Sequence, residues 1–145
     1  MDVKLARPGV RAPKYAHSGD AAIDLQAWLR EAITLEPMSD TVMIPSGIAV
    51  SIPEGCFGLL CSRSGLGCNG LNVATGVSVI DSNYTGEILI PIKNTSSKTT
   101  IIVKPGDRIA QLVILPYVHV DINLVQSLQS NEHRGDKGFG SSGVQ

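Results

Sequence analysis

Short apolar runs, mostly β-branched and partly alternating, recur along this chain. They are Ile23–Leu29, Val42–Ile44, Gly47–Ile52, Phe57–Cys61, Val77–Ile80, Glu87–Ile92, Thr99–Val103 and Ile109–Leu115. Turn-forming groups such as Pro53-Glu54-Gly55 and Pro105-Gly106-Asp107 separate them. Runs of this length, with a period near two and bounded by proline and glycine, predict strands. Eight prolines and a scarcity of helix-period stretches leave room for at most one short helix, over Leu66–Asn69. The expected fold is all-β, a jelly-roll-like barrel or sandwich. Pro91 interrupts an otherwise good strand, which predicts an edge, a bulge or an interface there. So much continuous aliphatic strand needs its edges covered, and oligomerisation is one way to cover them.

Size and charge narrow the classes. A chain of 145 residues is most simply one domain, here expected as a β domain over residues 1–133 followed by a flexible glycine-rich segment, 134–145. A formal charge of -1 gives no general reason to bind nucleic acid or an acidic membrane. No apolar run is long enough to span a bilayer, and the start, Met1-Asp2-Val3-Lys4-Leu5, lacks the apolar stretch of a secretory signal. Cys56, Cys61 and Cys68 are odd in number and have no metal-ligand spacing, so free thiols in a reducing, cytoplasmic compartment are expected. His17, His119 and His133 are scattered.

Candidate chemistry lies in five segments. The last twelve residues carry four glycines with Arg134, Phe139, Ser141 and Ser142: a guanidinium and hydroxyls for phosphate, and an aromatic face for a base. A frayed, solubilising end is the plainer alternative. Gly138 to Gly143 fits GxGxxG formally, but only Val144 and Gln145 follow, too little for the helix that loop must open. The Gly135–Gly140 spacing is that of a P-loop, but Ser141 stands where the lysine is needed. Asp81 ends a strand before a turn that also carries Tyr84; it is either a turn aspartate or a carboxylate placed to take a proton from water. Arg63-Ser64-Gly65 follows another strand and suits either a helix cap and surface charge or a phosphate site. Asp24 and Gln111 each interrupt aliphatic alternation, so each faces solvent or a polar site.

Taken together, these segments resemble the five motifs of the trimeric dUTP nucleotidohydrolases, the dUTPases. The resemblance runs from about Pro13 to Gly143. It is carried by Ser18 to Leu25, Arg63-Ser64-Gly65, Ile80-Asp81-x-x-Tyr84-x-Gly86, Pro105-Gly106-x-Arg108-x-Ala110-Gln111 and Arg134-Gly135-x-x-Gly138-Phe139-Gly140-Ser141. It implies a homotrimer of jelly-roll subunits, with active sites shared between subunits, that converts dUTP and water to dUMP and pyrophosphate with Mg2+. On that resemblance Asp81 is the general base, and Asp24 holds the metal through water. Arg63, Ser64, Gly65 and Gln111 line the phosphates and the attacking water. Thr75, Gly76 and Val77 begin a turn that takes the base, and Tyr84 packs under the sugar. Arg134, Phe139, Gly140, Ser141 and Ser142 form a lid over the nucleotide. Ser78 stands where many relatives have glycine, and Thr75 where some use a side-chain amide. A dCTP deaminase of the same fold is the nearest rival, but the Thr75-to-Asp81 segment offers no glutamate for the cytosine amine. A catalytically inactive nucleotide-binding or regulatory module is the other.

Overall fold

A computed structural model describes residues 1–128. Its strands are β1 (Asp2–Leu5), β2 (Ala22–Gln26), β3 (Ile33–Leu35), β4 (Val42–Ser51), β5 (Cys56–Ser62), β6 (Leu71–Val73), β7 (Val77–Ile80), β8 (Glu87–Asn94), β9 (Ile101–Val103) and β10 (Arg108–Pro116). The one helix among the described residues, α1, spans Ser64–Cys68. One sheet has the order β1-β4-β8-β6, a second the order β2-β10-β5-β7, and β3 pairs β9 alone. All pairings are antiparallel. The expected all-β, jelly-roll-like architecture with one short helix is what forms.

Alternation explains the core. Ile23, Leu25, Leu60 and Leu112 point inward from the second sheet against Ile44, Ile88, Ile90 and Ile92 from the first, all at most 3% exposed. Each such side chain contributes roughly 1.5–3 kcal/mol by leaving water, which holds the two sheets face to face. The runs expected at Val42–Ile44 and Gly47–Ile52 are a single strand, β4. Its register against β8 shifts between Pro45 and Ala49, so an irregularity absorbs Pro45 rather than ending the strand. β1, β3 and β6 were not anticipated, because each is only three or four residues long and none belongs to a longer aliphatic run.

Pro91 lies in β8, between β4 and β6, and is buried, so it is not on an edge strand. Its effect is local. The β6–β8 ladder ends at Val73 opposite Ile92. The Ala74 N–H still donates to the Pro91 carbonyl (2.8 Å), but proline has no N–H to return the bond. The chain therefore leaves the first sheet through a turn closed by the Gly76 N–H on the Val73 carbonyl (3.0 Å), with Gly76 at φ 75°. It continues as β7 on the edge of the second sheet.

An N-terminal strap braces the other end of β8. The Ala6 N–H bonds the Gly47 carbonyl (2.8 Å), and Arg7 donates to both oxygens of the Glu87 carboxylate, from Nε to Oε1 at 3.2 Å and Oε2 at 3.0 Å and from Nη2 to Oε2 at 2.8 Å. Arg7 lies 4.8 Å over the Trp28 ring, whose Nε1 donates to the Pro8 carbonyl. Hydrogen bonding and charge from Glu87 together raise the pKa of an already permanent cation.

Candidate active site

Asp24 is not a solvent-facing strand residue but the centre of a charged cluster. Register places it beside Gln111, Gln111 beside Cys61, and Cys61 beside Val77, in one row across the second sheet. Alternation turns that row to the sheet's outer face. Oδ1 of Asp24 accepts from Arg63 Nε at 2.8 Å and from Gln111 Nε2 at 3.3 Å. Oδ2 accepts from Arg108 Nη1 at 3.0 Å. The Asp24 side chain is only 12% exposed, so this carboxylate is shielded enough for its partners to matter. Two arginines on one aspartate leave the cluster net positive, which suits an anionic ligand.

Arg63 precedes α1 with extended backbone and occupies the N-cap position without a side-chain cap. The alternative of Ser64 as the cap is thereby excluded: Ser64 is the first helical residue and is exposed, as is Gly65. Ser62, one residue earlier, instead accepts the Val73 N–H at 2.8 Å, tying β5 to β6.

Asp81 belongs to a different place. The segment after β7 is not the turn of a hairpin, because β7 pairs with β5 while β8 pairs with β4 and β6. The two consecutive strands diverge into separate sheets and leave a cleft between them. A cavity of about 230 Å³ opens there, lined by Ser78, Ile80, Asp81, Tyr84, Ile88 and Leu89 among others. The free edge of β7 faces β8, which has lost its β6 neighbour beyond Ile92, so backbone N–H and C=O groups on both walls are available to a flat polar ligand. Tyr84 folds back at the mouth, its hydroxyl donating to the Glu87 carbonyl at 2.9 Å. A Cβ on Gly86 would lie 2.5 Å from that hydroxyl, so only glycine permits this close approach. A second cavity, about 480 Å³, flanks Asp81 on the outer face, with Phe57, Val79, Ser82, Asn83, Tyr117 and His119.

The structure thus sorts the candidates into two groups. Arg63, Asp24 and Gln111 come together, with Ser64 and Gly65 adjoining. Asp81 and Tyr84 come together at the cleft. Thr75, Gly76 and Val77 sit at the closed end of β7 and do not line either cavity beside Asp81. The Thr75 hydroxyl is instead engaged with that of Ser78 at 2.7 Å. Asp81 follows the last residue of β7, three strands across and about four residues along from Asp24, which at the usual strand spacings separates them by roughly 20 Å. Arg134, Phe139, Gly140, Ser141 and Ser142 lie outside the described residues. Arg108, Tyr117 and His119 were not assigned roles from the sequence. For Arg108 the available signal was Ile109-Ala110, two apolar residues in succession where a strand should alternate.

The described residues contain no group of three or more His, Cys, Asp or Glu placed to hold a metal. What the cluster offers a cation is the Asp24 carboxylate alone, whose two oxygens are already engaged by Arg63, Gln111 and Arg108, so a hard ion such as Mg2+ would have to keep its waters and take its other ligands from phosphate oxygens.

A two-sheet β domain with a charged cluster on the outer face of one sheet, and a carboxylate over a cleft where the sheets part, defines the class: an all-β scaffold presenting a polar ligand site at strand ends. Within that class the chain belongs to the dUTPase family, whose model matches residues 9–143. It is 38% identical over 151 residues to a deoxyuridine 5'-triphosphate nucleotidohydrolase of Escherichia coli (strain K12 / DH10B), covering 100% of this chain and 98% of that protein. It is 45% identical over 136 residues to one from Desulfitobacterium hafniense, covering 92% and 88%. A Staphylococcus bacteriophage 80alpha dUTPase solved with dUpNHpp superposes with a TM-score of 0.83 at 35% identity, over 99% of this chain and 98% of that one. A dUTPase from phage phi11 of S. aureus, solved for its coordination of a structural Mg(II) ion, gives 0.76 at 30% identity over 87% and 96%.

Proposed function

We propose that this chain hydrolyses dUTP to dUMP and pyrophosphate in a homotrimer whose sites combine residues of different copies. The separation of Asp81 from the Arg63–Asp24–Gln111 cluster carries this reading: one copy holds both halves of the family's machinery, but too far apart to serve one substrate. The outer face between them supports assembly. It presents Phe57, Leu59, Val77, Val79, Val113 and Leu115, with Val79 61% exposed. Past β10, Val118, Val120, Ile122 and Leu124 alternate along an exposed segment that pairs with no strand among the described residues. Further copies of the chain would cover both surfaces.

In the mechanism, the cleft between β7 and β8 takes deoxyuridine, the free backbone edge of β7 reading the base; Thr75, Gly76 and Val77 lie at the start of that edge, outside the cavity that Asp81 lines. A narrow cleft rejects the thymine methyl by contact and cytosine by mismatched donors and acceptors. Tyr84 packs under the sugar and excludes a 2′-hydroxyl. Arg63, Ser64 and Gly65 of another copy hold the phosphate chain, and Gln111 orients the attacking water. Asp81 takes the proton of that water as it attacks the α-phosphorus in line, with pyrophosphate leaving. Asp24 would hold Mg2+ through water, and the ion when bound neutralises charge on the phosphate chain. A single carboxylate base contributes only part of the acceleration; positioning and charge neutralisation supply the rest. Residues 134–145 close over the nucleotide: Phe139 on the base, Arg134 on the terminal phosphate, and Gly140, Ser141 and Ser142 along the chain.

The test is pyrophosphate release from dUTP, dCTP, dTTP and UTP, each with and without Mg2+. Rapid, metal-stimulated release from dUTP alone is expected. No release from dUTP, or equal release from dCTP, would overturn the assignment. No helix among the described residues is long and apolar enough to cross a membrane.

A further inference from the structure

We infer that Arg108 is a positioning residue of the phosphate end of the site, fixing Asp24 and, through Asp24 and its own carbonyl, Arg63. The inference rests on the proposed dUTP hydrolysis. Its basis is a β-bulge. Arg108 lies opposite Gln26, but Ala110 lies opposite Leu25, so Ile109 is one residue more than β2 can match. Were the strand regular through Ile109, with no bulge, strict alternation would put Arg108 on the face of Ala110 and Leu112, both 0% exposed in the core. The bulge buries Ile109 and Ala110 in succession and turns Arg108 to the outer face.

There Arg108 does two things. Its Nη1 is the hydrogen-bond partner of Asp24 Oδ2, at 3.0 Å, while Oδ1 receives Arg63 and Gln111. Its carbonyl accepts Arg63 Nη1 at 3.1 Å. The last torsion of an aspartate is soft, so a carboxylate held through only one oxygen can swing. Held at both, it presents Oδ1 to Arg63 in a fixed direction. Arg63 is then gripped at Nε by the carboxylate and at Nη1 by the bulge, which aims the rest of its guanidinium outward. A bidentate fork of this kind binds phosphate well only when its plane is set in advance.

The experiment is a double-mutant cycle on the full-length chain: Arg108→Gln, Arg108→Lys, Asp24→Asn, and Arg108→Gln with Asp24→Asn. Steady-state kinetics with dUTP are joined by calorimetric affinity for dUpNHpp, the compound bound in the phage relative. Misplacement of a phosphate-binding group predicts a loss in kcat/KM of roughly 10- to 100-fold for Arg108→Gln, weaker analogue binding, and partial rescue by Arg108→Lys. Because Arg108 acts through Asp24, adding Arg108→Gln to Asp24→Asn should cost less than about threefold more, the non-additivity expected of residues in one network. An Arg108→Gln loss just as large in the Asp24→Asn background would mean that Arg108 meets the substrate itself, and would overturn the inference. So would an Arg108→Gln protein with unchanged kinetics and analogue affinity. Should Arg108→Gln fail to fold, the cycle runs with Arg108→Lys, whose smaller loss should likewise shrink in the Asp24→Asn background; an undiminished loss there would overturn the inference. Absence of dUTP turnover in the unmodified chain would instead overturn the proposed function.

Discussion

Asp81→Asn should fold, assemble and bind dUpNHpp nearly as well as the unmodified chain, yet turn over dUTP roughly 10²- to 10⁴-fold more slowly, the usual scale for losing a general base. The side chain stands just past the end of β7, outside the buried core, where the cleft and the outer cavity meet. No hydrogen bond of the Asp81 carboxylate to another described residue holds the fold together. Asparagine keeps the size and polarity of aspartate but cannot accept a full proton from water. The loss should therefore appear in kcat and spare KM, since an interaction made mainly in the transition state is removed. Single-turnover kinetics with analogue titration separates the two. Near-normal kcat would remove Asp81 from the base role.

Ending the chain before Arg134 should have an effect of similar size by a different route. Every strand among the described residues lies between Asp2 and Pro116, so melting temperature and assembly state should not change. Activity should collapse, because the proposed lid supplies an aromatic stack, a guanidinium and two hydroxyls that the rest of the chain cannot replace. Unlike Asp81→Asn, the truncation should also weaken dUpNHpp binding, since the lid acts on bound substrate as well as on the transition state. Size-exclusion chromatography with light scattering, beside the pyrophosphate assay, decides the outcome. A truncated chain with full activity would leave residues 134–145 no part in the site.

The sequence carried the fold class because aliphatic alternation and proline-glycine punctuation repeat the same message over many strands. It did not carry the topology. Val77–Ile80 and Glu87–Ile92 read as two strands about one turn, and nothing local says that they enter different sheets. That outcome depends on Pro91 ending the β6 ladder, a non-local event. Asp24 and Gln111 were ambiguous for the same reason: each is a polar interruption in an apolar run, and only register reveals that they face each other with Arg63. Arg108 was hidden by its bulge, which shifts the face of a side chain without altering composition. Resemblance to a family supplied the roles, but the distance between Asp81 and Arg63 appears only in three dimensions.

That distance is the central claim, and subunit complementation tests it most directly. Asp81→Asn and Arg63→Gln chains, each nearly inactive alone, are unfolded together in equal amounts and refolded. If each site draws Asp81 from one copy and Arg63 from another, random assembly of a closed ring restores about a quarter of wild-type activity, because about one site in four then has both residues intact. Mixed protein that assembles normally but stays as inactive as its parents would contradict a shared site and place the whole of catalysis within one copy.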